Sequence, residues 1–130
     1  MGQPAIDAGA VIIALPTRPL QKKLKASGLR PEDPANAVHE EAVKRVEAAG
    51  GAYARVDLKG AYELVVPAAA DYHLLVISSH AMRPLDEHLP ERDLKLLAPY
   101  FEVVTDMIGS HQYATADQRL AGRPSWSHAF

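Results

Sequence analysis

Residues 51–79 read GAYARVDLKGAYELVVPAAADYHLLVISS, and the reading of this stretch decides the expected fold. Ala52–Asp57 and Ala61–Val66 are rich in Tyr, Val and Leu, side chains that suit a pleated, half-buried surface. The second run alternates, with Tyr62, Leu64 and Val66 on one face and Ala61, Glu63 and Val65 on the other. The connector Asp57-Leu58-Lys59-Gly60 is too short for a crossover helix, so it predicts two antiparallel neighbours joined by a tight turn. Gly60 supplies the positive φ of such a turn, and Asp57 can accept from backbone amides ahead of it. Pro67 then ends the second strand. The third run, Tyr72–Ser78, is apolar on both faces: Tyr72, Leu74 and Val76 on one, Leu75 and Ile77 beside His73 on the other. Such a strand belongs in the middle of a sheet or under a second layer.

Outward from this core, Gly9–Leu15 is a continuous apolar run and predicts a buried strand ended by Pro16. Residues 17–33 are irregular, with Ser27-Gly28 as a turn signal. A helix is expected over about 34–49. Asp33 would be its N-cap, Pro34 its first residue, and Val38, Ala42, Val46 and Ala49 its apolar stripe. Gly50-Gly51 stops it. Downstream, a polar loop over 79–89 leads to a short helix at about 90–98, and Tyr100–Ile108 is read as a further strand or a strand-like edge. Residues 109–130 are poorly patterned, with Tyr113, Leu120, Trp126 and Phe130 as their large apolar side chains. The expected organisation is a loose lead-in at 1–8, a domain over 9–111 that carries an insertion at 17–51, and a tail over 112–130.

The run Asp57-Leu58-Lys59-Gly60-Ala61-Tyr62-Glu63-Leu64, then Val66-Pro67, then Asp71-Tyr72-His73-Leu74, resembles the carboxypeptidase-regulatory-like domains. Gly9-Ala10-Val11-Ile12-Ile13-Ala14-Leu15 is similar to their opening phrase. The resemblance implies a prealbumin-like (transthyretin-like) antiparallel β-sandwich: mainly β, with inserted helices. The chain departs from the pattern where Ala68-Ala69-Ala70 replace a loop glycine, and Met1–Ala8 leave no room for the family's first strand. Hydroxyisourate hydrolase shares the prealbumin-like fold, but its terminal Tyr-Arg-Gly-Ser has no counterpart in Ser125-Trp126-Ser127-His128-Ala129-Phe130. The resemblance therefore implies a non-enzymatic module of a larger bacterial extracytoplasmic protein, periplasmic or at the cell surface. Its role would be spacer, stabiliser or contact domain for protein or carbohydrate.

Composition narrows the partners. A formal charge of −2 gives no electrostatic case for nucleic acid. The densest cationic group, Arg18, Lys22, Lys23 and Lys25, is read as a solvated loop face. There is no cysteine, which removes disulfides and thiolate chemistry. The longest apolar run, Ala10–Leu15, is far too short to span a membrane. No signal peptide is visible, which suits an excised domain of a longer protein.

No catalytic residue and no cofactor is assigned. Six histidines raise the question of a metal, with His80, His88 and His111 the candidates, beside Asp86 and Glu87. Their spacing matches no ligand frame, and surface or structural roles are the expectation. Ser78-Ser79-His80 lacks a nucleophile elbow, and adjacent strand residues point to opposite faces. Ser78 is read as a bonded core hydroxyl. Gly50-Gly51 lacks the context of a phosphate loop. Tyr62 and Tyr72 are read as packing, with Tyr53 left open. The competing architecture is an α/β enzyme or ligand-binding domain wound from βαβ units, with its site near Ser79-His80 at a strand's carboxyl end.

Overall fold

The computed structural model describes residues 8–84 and 86–121. β1 (Val11–Pro16) is the chain's opening apolar run, and β3 (Ala70–Met82) is the run that begins before Tyr72. They pair with each other at the centre of a four-stranded sheet, with β2 (Ala52–Arg55) outside β1 and β4 (His111–Leu120) outside β3. Every adjacent pair is antiparallel. A βαβ winding requires parallel neighbours, yet α1 (Ala37–Ala48) connects two strands that pair antiparallel. The α/β alternative is corrected on that ground. A mixed α and β composition, with strands and inserted helices, is what the chain adopts.

The central position of β1 and β3 follows from their having two apolar faces. Val11, Ile13 and Leu15 of β1 and Leu75 and Ile77 of β3 point to one side. There they meet Ala42 and Val46 of α1, Leu97 of α2 (Glu91–Leu97), and Val104, Met107 and Ile108 of α3 (Val104–Ile108). Ile12, Ala14, Tyr72, Leu74 and Val76 point to the other side, with Ala52 and Ala54 of β2. This second face is covered by Leu64 and Val66, 0% and 5% exposed. Burying each such side chain contributes about 2 kcal/mol, so neither face could stay wet.

The turn at Asp57–Gly60 forms as expected. Asp57 N–H donates to Ala61 O at 2.9 Å and Gly60 N–H to Asp57 O at 3.0 Å, with Gly60 at φ +82°. The Asp57 carboxylate accepts from the N–H groups of Lys59 and Ala61, at 2.8 and 2.9 Å. The hairpin beyond it does not form. Ala52–Arg55 spends its ladder on β1, and Ala61–Val66 is not a strand. The segment leaves the sheet edge and crosses the second face. The expected alternation survives without a ladder: Leu64 and Val66 are buried and Val65 is 48% exposed. The small side chains of Ala14, Ala52 and Ala54 leave room on that face, and burial there outweighs pairing at an edge.

Three further expectations are corrected. The segment read as a strand over 100–108 ends in helix α3, because its buried residues Val104, Met107 and Ile108 stand three and four apart. What remains of strand character is a single bridge, Phe101 to Leu24. The poorly patterned region after 109 contains β4, a ten-residue strand that pairs along β3 with a register shift near its start. An edge strand with one face turned to solvent tolerates the polar composition that hid it. Helix α1 starts at Ala37, capped by Asn36 Oδ1, which accepts from the N–H groups of Val38 at 3.0 Å and His39 at 3.2 Å. Its apolar stripe begins a turn late, since Val38 is 57% exposed. The readings that fall on Trp126 and Phe130 and on the first seven residues lie outside the described residues.

Candidate functional site

The three histidine candidates are not brought together as a ligand set. His80 and His88 are exposed, whereas His111 is buried on β4. Among the described residues, no group of three or more His, Asp or Glu side chains is placed to hold a metal ion. The His111 ring uses Nε2 on Glu32 Oε1, at 3.0 Å. Its Nδ1 is buried without a hydrogen-bond partner among the described residues. A ring held this way fastens the 26–36 loop to β4, and its second nitrogen is closed to a substrate from solvent.

The serines at the end of β3 are also committed. Ser78 is fully buried and its Oγ accepts from Ala81 N–H at 2.9 Å, where the β3–β4 register shifts. Ser79 Oγ donates to Ala8 O at 2.6 Å. Tyr72 donates to Ala68 O at 2.7 Å, and Tyr62 packs on the second face, as expected of both.

Tyr53, the open case, belongs to a clamp that sequence reasoning missed. Arg55, two residues along β2 on the same face, donates to the Tyr53 hydroxyl at 2.9 Å, to Asp33 O at 2.8 Å and to Arg30 O at 3.1 Å. His39 Nδ1 lies 2.7 Å from Gly28 O, its ring edge-on to Tyr53. Asp33 accepts from the N–H groups of Gly28 and Arg30 and from the Arg30 guanidinium. Burial works to raise the Asp33 pKa, but those hydrogen bonds and the Arg30 charge hold it below the ordinary carboxylate value. Arg83, just past the end of β3, plays the same part, donating to the carbonyls of His111, Gly109 and Glu87. Tyr113 donates to buried Asp93 of α2; burial first, and that bond second, push its hydroxyl above the ordinary range. In each clamp an ionisable side chain holds backbone or a neighbouring helix in place.

One group of charges is different. β1 exits through Pro16 into a loop that is pinned again at Leu24: its N–H donates to Tyr100 O at 2.7 Å, and its carbonyl accepts from Glu102 N–H at 2.9 Å. Between those anchors the loop runs beside the last turn of α1, leaving a cleft of about 700 Å³. Arg18, Lys22 and Lys23 line it from the loop and Arg45 from the helix. Leu20, Ala48 and Ala49 supply apolar wall. Arg45 is paired with Glu41 at 3.1 Å. Among the described residues, no carboxylate lies within ion-pair distance of Arg18, Lys22 or Lys23. The cations read from sequence as a solvated face are exposed, but they ring a concavity, and Lys25 is not part of it. Arg45 is the member the sequence does not reveal; the glycine pair signals where its helix stops but not that the last turn lies beside this loop. A second cleft of about 640 Å³, between α2 and β4, is lined by Arg92 and Lys95 together with Asp93 and Asp117, so its charges balance internally.

No protein-family model, curated protein or solved structure matches the chain.

Proposed function

We propose that this chain is a non-catalytic scaffold and contact module of a larger bacterial extracytoplasmic protein, with protein or carbohydrate as partner. Its fold-level kinship on this reading is with the prealbumin-like sandwiches, the 61–66 segment standing where a second sheet would pack. The observation that carries the reading is where the half-buried ionisable groups at the loops spend their bonds. Asp33, Arg55 and Arg83 each bond several backbone atoms. Catalysis needs such a group aimed at a substrate and open to proton exchange. Groups arranged to fix loops against a sheet serve rigidity, which is what a spacer or contact domain requires.

Assaying the purified chain with chromogenic ester, phosphoester and glycoside substrates tests this. The expected result is turnover no faster than buffer alone. Saturable turnover that disappears in Ser79→Ala or His111→Asn, with the variant still folded, overturns the reading.

A further inference from the structure

We infer that the cleft between the β1 exit and the end of α1 is a binding site for a small ligand carrying two or more adjacent oxyanions. The chemistry shared by its candidate sources is a cluster of phosphate, sulfate or carboxylate groups on a compact body.

The argument starts from charge. The chain carries a net −2, yet Arg18, Lys22, Lys23 and Arg45 converge on one concavity. Like charges brought together repel, and at the surface neighbouring carboxylates ordinarily offset this. Here only Arg45 has such a neighbour among the described residues. The lysines are not adrift on a free loop, because Leu24 beside them is 4% exposed and bonded through both backbone groups to 100–102. Arg18 is also placed: its Nη2 stands 3.7 Å from where a Cβ on Gly50 would sit.

Cations near a helix C-terminus often do no more than offset the helix dipole. That role is already largely filled here. The carbonyls of Arg45, Val46 and Glu47 accept from the N–H groups of Ala49, Gly51 and Gly50. The helix end is capped by backbone, so the basic side chains are surplus to it.

The shape narrows the ligand. A volume of about 700 Å³ falls in the size range of small-molecule sites. Three cations with no described carboxylate beside them would remain net positive around a monoanion, and one guanidinium together with two ammonium groups suits paired oxyanions. Leu20, Ala48 and Ala49 offer contact to a ligand body rather than to a bare ion. This inference stands apart from the absence of turnover proposed above, since binding and catalysis are read separately.

The test is titration of the intact chain at low ionic strength, followed by amide chemical shifts, with inorganic pyrophosphate in one arm and a sulfated tetrasaccharide in the other. At least one should bind saturably, with shifts centred on residues 18–24 and 45–50. Pyrophosphate alone points to a phosphorylated ligand; the tetrasaccharide alone points to an acidic glycan. The double substitution Lys22→Gln with Lys23→Gln should weaken binding by about tenfold or more, as loss of charge-assisted contacts demands. Lys95→Gln, in the charge-balanced cleft, should leave it unchanged. Both cleft lysines are exposed, so an unaltered melting temperature verifies the fold of the variant. No binding in either arm, or binding indifferent to the double substitution, overturns the inference.

Discussion

Asp33 shows how much one residue can hold. Its Oδ2 accepts from Gly28 N–H at 2.8 Å and Arg30 N–H at 3.0 Å, and Arg30 Nε approaches the same oxygen at 3.1 Å. Its folded pKa lies below the ordinary 3.8. As pH falls, the unfolded chain therefore takes up its proton first. The stabilisation is full above the ordinary value and is lost as pH drops through the lower, folded one. Asp33→Asn should cost about 2 kcal/mol at neutral pH, the scale of hydrogen bonds to a charged group. Urea unfolding of both proteins at neutral and acid pH checks this, and the gap between them should narrow in acid. A gap independent of pH would contradict the argument. By sequence alone this residue reads as a helix cap. The chemistry, a carboxylate accepting backbone N–H groups, was legible. Its location was not, because Asn36 three residues later competes for the same helix and wins it.

At the scale of the elements, the end of α1 packs tightly on β1, and its two glycines act for different reasons. Gly50, at φ +93°, is the left-handed residue that lets the chain leave the helix. Gly51 is there for space: a Cβ on it would lie 2.4 Å from Ala14 O in β1 and 3.2 Å from Val46 Cγ1. Backbone in a central strand cannot move aside. Gly51→Ala should therefore cost about 3 kcal/mol, and Gly50→Ala about 1 kcal/mol for its left-handed backbone. Thermal and urea unfolding of the two variants measure the ranking, and a milder Gly51 variant would argue against the close approach. The glycine pair predicted a helix stop from sequence. That one of the pair is wedged against a strand depends on a β1–α1 contact that no local pattern encodes. Helix α3 is the opposite case: its three-and-four spacing was present in Val104, Met107 and Ile108, but the β-branched Val103-Val104-Thr105 suggested a strand.

For the whole molecule, stability rests on covering both faces of one sheet. The helices cover the first, and the irregular 61–66 segment covers the second. Leu64 of that segment is fully buried against the face and Val65 next to it is 48% exposed. Leu64→Ala should cost about 3 kcal/mol and Val65→Ala less than about 0.5 kcal/mol. Equal effects in urea unfolding would mean that the segment does not seal the face.

The local alphabet was enough for β1, for a two-faced and therefore interior β3, for the turn at Asp57–Gly60, and for α1 and α2 within a few residues. Each is written in a periodicity or in a dihedral requirement that neighbours in the chain supply. The partner of β2, the route of 61–66, the existence of β4 and the convergence of Arg45 with Arg18, Lys22 and Lys23 were settled only in three dimensions. Alternation in a segment says that every second residue seeks burial. It does not say whether a strand edge or an open sheet face provides it, and that choice belongs to the space left by residues far away in sequence.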